Sequence, residues 1–218
     1  MQNQKGNKMF SDALLPEPNV VQEIEANPDM VEISQKDGIF FNNKYTNVRL
    51  IRKYIYNLLL KAKKNLPQGY NFVIYEAYRP YKSQVELWQK IVQQEQIKNP
   101  EADINSEEFI ALCDRFVANP YRQGSGHQSG AAIDVSLVDD AGTEYDMGGY
   151  IRGFEHTAEF DAQNISLEAK KNRKILKDAL ENVGFVNYPS EWWHYSFGDR
   201  LWAKLNNLKL AIFGKLDI

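Results

Sequence analysis

Four stretches of the chain repeat apolar residues at the spacing of an α-helix with one buried face. They are residues 50–64, the segment after Arg79-Pro80 that Ser83 and Glu86 would open as a capping box, residues 106–117, and residues 167–183, which Gly184 would end. We therefore predict four helices, each packed through one face against the rest of the protein.

Strand patterns lie between and after the predicted helices. Residues 72–77 are apolar on both sides, as in a central strand, whereas residues 131–138 alternate and place Asp134 on the polar face. Residues 185–188 and 193–197 read as two short strands joined by a turn. Several links between strands are too short for parallel crossovers. The sequence therefore predicts an α+β fold with a mainly antiparallel central sheet flanked by helices.

The length of 218 residues suits one well-buried domain and is short for two. Residues 1–30 are the least patterned, so we predict a tail or surface wrap there and one domain over residues 31–218. No apolar stretch near the amino terminus resembles a signal peptide or a membrane span. We therefore expect a cytoplasmic protein, or a periplasmic one if a leader was removed.

Charge and cysteine content narrow the function classes. A net charge of -3 argues against a nucleic-acid or anionic-membrane partner, since either would favour a basic surface. Basic residues do cluster at 44–64 and 170–177, and we interpret both clusters as solvated helix faces. Cys113 is the only cysteine, which excludes an intramolecular disulfide and a cysteine-based zinc site. Its apolar neighbours predict a buried, inert thiol.

Two short segments supply the candidate chemistry. One carries His127 and Asp134, and the other, the run Glu-Trp-Trp-His, carries Glu191 and His194. Two imidazoles and one carboxylate are a donor set of catalytic zinc sites, in which three protein ligands leave a position open for water. Glu191 is placed to take a proton from that water. Two alternatives remain open: a non-haem iron oxygenase, although its usual spacing is His-x-Asp, and a zinc-binding module without catalysis.

The seven-residue step from His127 to Asp134 requires a break in the backbone, because on one regular strand the two side chains would face opposite ways. Gly126 and Gly130 allow the bulge or turn that would bring His127 beside Asp134. We interpret the two tryptophans of the Glu-Trp-Trp-His run as core residues. His156 lacks comparable surroundings and reads as a surface or supporting residue.

Three motifs occur together along the chain. They are Tyr-Arg-Pro at 78–80, Ser-x-His-x-x-Gly-x-Ala-x-Asp at 125–134, and Glu-Trp-Trp-His at 191–194. In this combination the chain resembles the zinc D-alanyl-D-alanine dipeptidases of bacteria, which are related to the vancomycin-resistance dipeptidases and more distantly to D,D-carboxypeptidases. The resemblance covers about residues 70 to 197.

The resemblance implies three groups of site residues. The ligands of one Zn²⁺ per chain would be His127, Asp134 and His194; the catalytic residues would be Glu191 as general base and Arg79 as oxyanion stabiliser; the substrate-binding residues would be Ser125 and Tyr45. Arg152 matches a position at which the family carries an aspartate that binds the substrate amino group. A cation there would repel an ammonium.

The resemblance also implies a small peptide as the partner. The expected reaction is zinc-dependent hydrolysis of D-Ala-D-Ala, or of a related small D-amino-acid dipeptide, by a metal-activated water. The alternative within the same chemistry is a D,D- or L,D-carboxypeptidase that acts on peptidoglycan stem peptides.

Overall fold

The computed structural model describes Val20–Val21, residues 29–153 and residues 156–216. The strands are β1 Val20–Val21, β2 Met30–Glu32, β3 Ile39–Phe41, β4 Leu50–Arg52, β5 Asn71–Glu76, β6 Ala132–Val138, β7 Val186–Asn187, β8 His194–Ser196 and β9 Leu210–Ala211. The helices are α1 Lys53–Lys63, α2 Tyr81–Lys98, α3 Glu107–Asp114, α4 Leu167–Glu181 and α5 Arg200–Leu205, with one 3-10 helix at Gly126–Ser129.

The main sheet has five strands in the order β3-β5-β6-β8-β7. The pair β3/β5 is parallel, and the other three pairs are antiparallel. This confirms the predicted α+β fold with a mainly antiparallel sheet. Every residue of β5 and β6 is buried, and α4, which packs on α1, contacts β6. The candidate site lies on these central strands and on β8.

The predicted helix over residues 50–64 is partly wrong. Its first three residues form β4, which pairs antiparallel with β2, and α1 begins only at Lys53. The partner strand lies about twenty residues earlier in the chain, so local periodicity could not indicate the pairing. Tertiary pairing here outweighs the helical spacing of the apolar residues.

The predicted capping box at Ser83 and Glu86 is also wrong. The helix α2 begins at Tyr81, directly after Pro80 at the N-cap position, so Ser83 and Glu86 lie inside its first turns. Proline suits this position because its fixed φ leads into the helix and it has no N–H to leave unpaired.

Two other helix boundaries agree with the sequence. The Ser106 side chain accepts a hydrogen bond from the Phe109 amide and caps α3. Beyond α4, Gly184 adopts φ 98°, a left-handed conformation that glycine tolerates without strain. Cys113 is buried with Trp88 and Phe109 between α2 and α3, and burial raises the pKa of its thiol. The prediction of a buried thiol is confirmed.

The interpretation of both basic clusters as solvated faces is wrong for two arginines. Arg52 and Arg173 are each only 1% exposed. The Arg52 guanidinium donates to the Ser129 carbonyl and lies over the Phe213 ring. Arg173 donates to backbone carbonyls and lies over the Trp192 ring. The Arg173 guanidinium can be buried in this way because its donors match several carbonyls at once.

Most of the predicted tail, residues 1–30, lies outside the described residues, and its role stays a prediction. Within it, Val20–Val21 pairs parallel with β9. Within the described ranges, no helix is both long and apolar enough to cross a bilayer.

Candidate metal centre

The turn before β6 places His127 beside Asp134. Ser125 and Gln128 form a capping box around a 3-10 helix, and Gly130 ends that helix at φ 67°. This turn interrupts the alternation of side chains before β6 begins. The seven-residue spacing therefore no longer places His127 and Asp134 on opposite faces. The predicted break at Gly130 is confirmed.

The three candidate ligands converge around one carboxylate oxygen. The Asp134 Oδ1 atom lies 3.3 Å from His127 Nε2 and 3.1 Å from His194 Nδ1. One ligand atom from each residue lies within 4.8 Å of the other two. Asp134 and His194 are brought together by the sheet, because they are directly paired across β6 and β8.

The second nitrogen of each imidazole has its own partner. His127 Nδ1 lies 2.9 Å from the Ala77 carbonyl oxygen, and His194 Nε2 lies 3.4 Å from Ser196 Oγ. The Ser196 hydroxyl in turn donates to Asp199 Oδ2 at 2.8 Å. These contacts fix the ring orientations and direct the remaining nitrogens toward Asp134, as outer partners of metal-binding histidines do.

The charges within the triad reinforce one another. Although burial acts in the opposite direction, the two histidines hold the pKa of Asp134 well below its usual value. Burial lowers the pKa of His194, but the hydrogen bond and charge of Asp134 outweigh this and raise it. A buried carboxylate flanked by two imidazoles is a mixed oxygen and nitrogen donor set, which suits a divalent transition metal.

Glu191 lies at the edge of the triad without entering it. Its Oε2 atom is 3.8 Å from His194 Nδ1, and its side chain is partly exposed to the cleft. The Glu191 amide donates to the Tyr188 carbonyl, and the His194 amide donates to the Glu191 carbonyl, so a tight turn brings the two side chains to one side. Burial raises the pKa of Glu191. Trp192 and Trp193 are each 1% exposed, which confirms them as core residues.

Arg79 lines the same cleft and is held on three sides. Its Nε donates to Glu76 Oε1 at 2.9 Å, its Nη2 pairs with Glu76 Oε2, and its Nη1 donates to Gln84 Oε1 at 2.7 Å. The Arg79 amide also donates to the His127 carbonyl at 3.0 Å, which joins the Tyr-Arg-Pro motif to the metal-site turn. Arg79 is therefore a fixed cation within the site.

The two predicted substrate-binding residues occupy different places. Ser125 lines the cleft, and its hydroxyl accepts from the His127 amide. Tyr45 lies outside the residues that line the cleft within the described chain, and its hydroxyl donates to the Ile151 carbonyl at 2.8 Å. Arg152 also lines the cleft, with its guanidinium over the Tyr45 ring. His156 is exposed.

Several supporting residues escaped the sequence analysis. Gln128 follows Ser125 at the spacing of a capping box, so the motif Ser-x-x-Gln could have revealed it. Glu76, Ser196 and Asp199 lie within three residues of their partners Arg79, His194 and Ser196. Short polar spacings of this kind are common in any sequence, so they did not single these residues out.

The site opens into a cleft of about 510 Å³. This cleft reaches from the triad to the end of α3 and to residues 213–215. A buried donor triad with one open side, a carboxylate at its rim and a fixed cation nearby is the arrangement of a metal-dependent hydrolase.

Comparison with known proteins specifies the class. The family model described as D-Ala-D-Ala dipeptidase, within the M15 peptidases, matches residues 36–210, so the chain belongs to this family of metallopeptidases. The D-alanyl-D-alanine dipeptidase of Synechocystis sp. (strain PCC 6803) is 29% identical over 178 residues, which cover 70% of this chain and 72% of that protein. The D-alanyl-D-alanine dipeptidase of Enterococcus faecium is 33% identical over 146 residues, covering 65% and 69%.

The fold has a solved counterpart. The structure of the LD-carboxypeptidase LdcB matches with a TM-score of 0.50 at 20% identity, and the match covers 87% of this chain and 81% of that one. At this identity, the likeness concerns the fold.

Proposed function

We propose that this chain is a zinc-dependent dipeptidase that hydrolyses D-Ala-D-Ala or a related small D-amino-acid dipeptide. The observation that carries the proposal is the convergence of His127, Asp134 and His194 with Glu191 at their open side. The family and the two dipeptidase relatives support the substrate class.

The donor set fits zinc. Two imidazole nitrogens and one carboxylate oxygen converge, and both rings are fixed by hydrogen bonds at their other nitrogens. When bound, zinc supplies a Lewis acid that polarises the peptide carbonyl and makes water easier to deprotonate.

Glu191 carries the proton transfers in the proposed reaction. It takes a proton from the attacking water while the water oxygen forms a bond to the peptide carbonyl carbon. When the carbon–nitrogen bond breaks, the same carboxyl returns the proton to the leaving amine. A pKa raised by burial makes Glu191 a better proton acceptor than an exposed carboxylate.

Arg79 supplies a fixed positive charge for the oxygen that becomes negative in this reaction. Glu76 and Gln84 hold the guanidinium in place before substrate arrives, so little reorganisation is needed when the charge develops. Ser125 lines the same cleft and is a candidate contact for the substrate.

The test is a product analysis with zinc-loaded protein and a panel of D,D-, L,D- and L,L-dipeptides. We expect cleavage of the D,D-dipeptides, and a loss of about 10²–10⁴ in kcat for Glu191→Gln. Metal analysis of both proteins is the control, since Glu191 is outside the triad and the variant should keep its zinc. Full activity of Glu191→Gln would contradict the proposed role.

A second candidate is a D,D- or L,D-carboxypeptidase, because the cleft of about 510 Å³ extends beyond the triad to the end of α3 and to residues 213–215 and so has room for a longer peptide. A pentapeptide stem in the same panel distinguishes the two. Cleavage of the pentapeptide alone would replace the dipeptidase assignment.

A further inference from the structure

Arg152 places a cation in the cleft beside the triad. Its Nε atom lies 3.8 Å from Asp134 Oδ2, the oxygen of that carboxylate that does not contact the histidines. The Arg152 backbone adopts φ 61°, a left-handed conformation that is costly for a residue with a long side chain. The cation is therefore carried by a residue whose backbone conformation is strained.

Contacts on both sides hold the Arg152 guanidinium in place. Its Nη2 pairs with Glu76 Oε2, and its carbon Cζ lies 4.6 Å from the centre of the Tyr45 ring. Tyr45 is itself tied to the backbone next to Arg152, since its hydroxyl donates to the Ile151 carbonyl. The cation is thus preorganised rather than mobile.

The charges at this corner do not balance. Glu76 is a single carboxylate, and it is shared by the guanidinium groups of Arg79 and Arg152. Asp134 lies near Arg152, but in the proposed function it would be a metal ligand and the ion would offset its charge. One positive charge therefore faces the cleft in excess.

The acidic residues that line the described part of the cleft already have other roles. They are Asp114, Asp134, Glu191 and Asp199. Asp134 and Glu191 belong to the proposed reaction centre, and Asp199 is buried beneath Ser196 and caps α5. Asp114 lies at the end of α3 and accepts from the Asn119 amide. A substrate ammonium beside the triad would thus meet Arg152, whereas Asp134, Glu191 and Asp199 are already engaged.

We propose that Arg152 sets the substrate class at the amino side of the bond that is cleaved. Glu191, which returns the proton to the leaving amine, contacts His194, whereas Arg152 contacts Asp134 Oδ2 and Glu76 and so faces the other part of the substrate. It selects a D,D-peptide that presents an oxygen acceptor there, as an N-acyl or N-carboxyacyl group does, over one that presents a free ammonium. A guanidinium donates hydrogen bonds to a carbonyl or carboxylate oxygen and repels an ammonium. The inference rests on the proposed function, because it concerns which D,D-peptides the same centre cleaves best.

The experiment compares kcat/KM for three substrates that contain the same bond: D-Ala-D-Ala, N-acetyl-D-Ala-D-Ala and N-succinyl-D-Ala-D-Ala. Released D-alanine is the readout for all three, with zinc-loaded full-length protein. We expect both acylated peptides to be preferred over the free dipeptide by about tenfold or more.

Three variants identify the residue responsible. Arg152→Gln removes the charge, and we expect it to lower the ratio of acylated to free substrate by about tenfold or more. Arg152→Lys keeps a cation and should retain most of the preference. Arg122→Gln is the matched control, because Arg122 pairs with Glu107 at the surface and does not line the cleft. Zinc content and the unfolding temperature show whether each variant is folded.

The outcomes separate the inference from the proposed function. A wild-type preference for the free dipeptide, or an unchanged ratio in folded Arg152→Gln, overturns the inference and leaves the dipeptidase proposal standing. If zinc-loaded wild-type protein cleaves none of the three D,D-peptides, the proposed function itself is wrong.

Discussion

At the scale of single residues, the ring orientation of His194 depends on one hydroxyl. Ser196 Oγ lies 3.4 Å from His194 Nε2 and is itself oriented by Asp199. We expect Ser196→Ala to weaken zinc binding by about 10–100-fold, since a ligand histidine without its outer partner is less well held. Competition with a chelator measures this. Ser34→Ala is the control, because it removes a hydroxyl that bonds Tyr56 instead; equal losses in both variants would contradict the role of Ser196.

The sequence could identify the first layer of the site but not its supports. His127, Asp134 and His194 are recognisable because their residue types and spacings are tied to metal chemistry. The partner of His127 Nδ1 depends instead on how distant segments align, and the Ala77 carbonyl is a backbone group that any residue type could supply. Side-chain identity carries no information about such a contact.

At the scale of elements, Arg173 ties α4 to the segment that bears Arg152. Its guanidinium donates to the carbonyls of Met147, Thr157 and Glu159 at 2.6–2.7 Å. Burial lowers the pKa of Arg173 to about 10, so the group stays protonated at neutral pH. Lysine carries its three donors on one nitrogen, so it cannot span carbonyls that Arg173 reaches with Nε, Nη1 and Nη2. We expect Arg173→Lys to lower the free energy of unfolding by about 2 kcal/mol or more. This corresponds to a Tm lower by about 4–8 °C in a thermal scan.

The control for this variant is Lys174→Gln on the same helix. Lys174 forms an exposed pair with Asp178, four residues further along the helix, and such pairs contribute at most about 1 kcal/mol. Equal Tm values for both variants would show that Arg173 does not hold the segment.

The burial of Arg52 and Arg173 could not be predicted from the pattern of charged residues. Arg173 lies in a basic run whose lysines are largely solvated, and charge alone cannot distinguish one member of such a run. What distinguishes it is a group of carbonyls from a loop that comes earlier in the chain. The same holds for β4, whose strand identity is decided by β2.

At the scale of the whole molecule, the antiparallel sheet was predictable because short links between strands exclude most other arrangements. The parallel pair β3/β5 was not predictable. The connection between these strands contains β4 and α1, so the sequence does not indicate which strand pairs with β3. Periodicity defines elements, whereas strand order depends on which surfaces bury the most apolar area.

The acid stability of the whole molecule should depend on Glu76. Burial alone would raise its pKa, but the charges and hydrogen bonds of its arginine partners lower it to about 2, from an ordinary value of 4.5. Because its pKa is lower in the folded protein, Glu76 stabilises the fold at pH values above its unfolded pKa. This stabilisation is lost as the pH falls from about 4.5 to about 2. The contribution is on the order of 3 kcal/mol.

Urea unfolding of metal-free protein between pH 2 and pH 7 measures this contribution. We expect Glu76→Gln to be less stable than the wild type at pH 7, because the buried Arg79 and the half-buried Arg152 lose their shared carboxylate. The gap should narrow as the solution is acidified, since protonation removes the same charge from the wild type. Glu86→Gln, which alters an exposed pair with Lys82, should follow the wild type throughout. If the difference in unfolding free energy between the wild type and Glu76→Gln stays constant down to pH 2, protonation of Glu76 does not account for the acid stability.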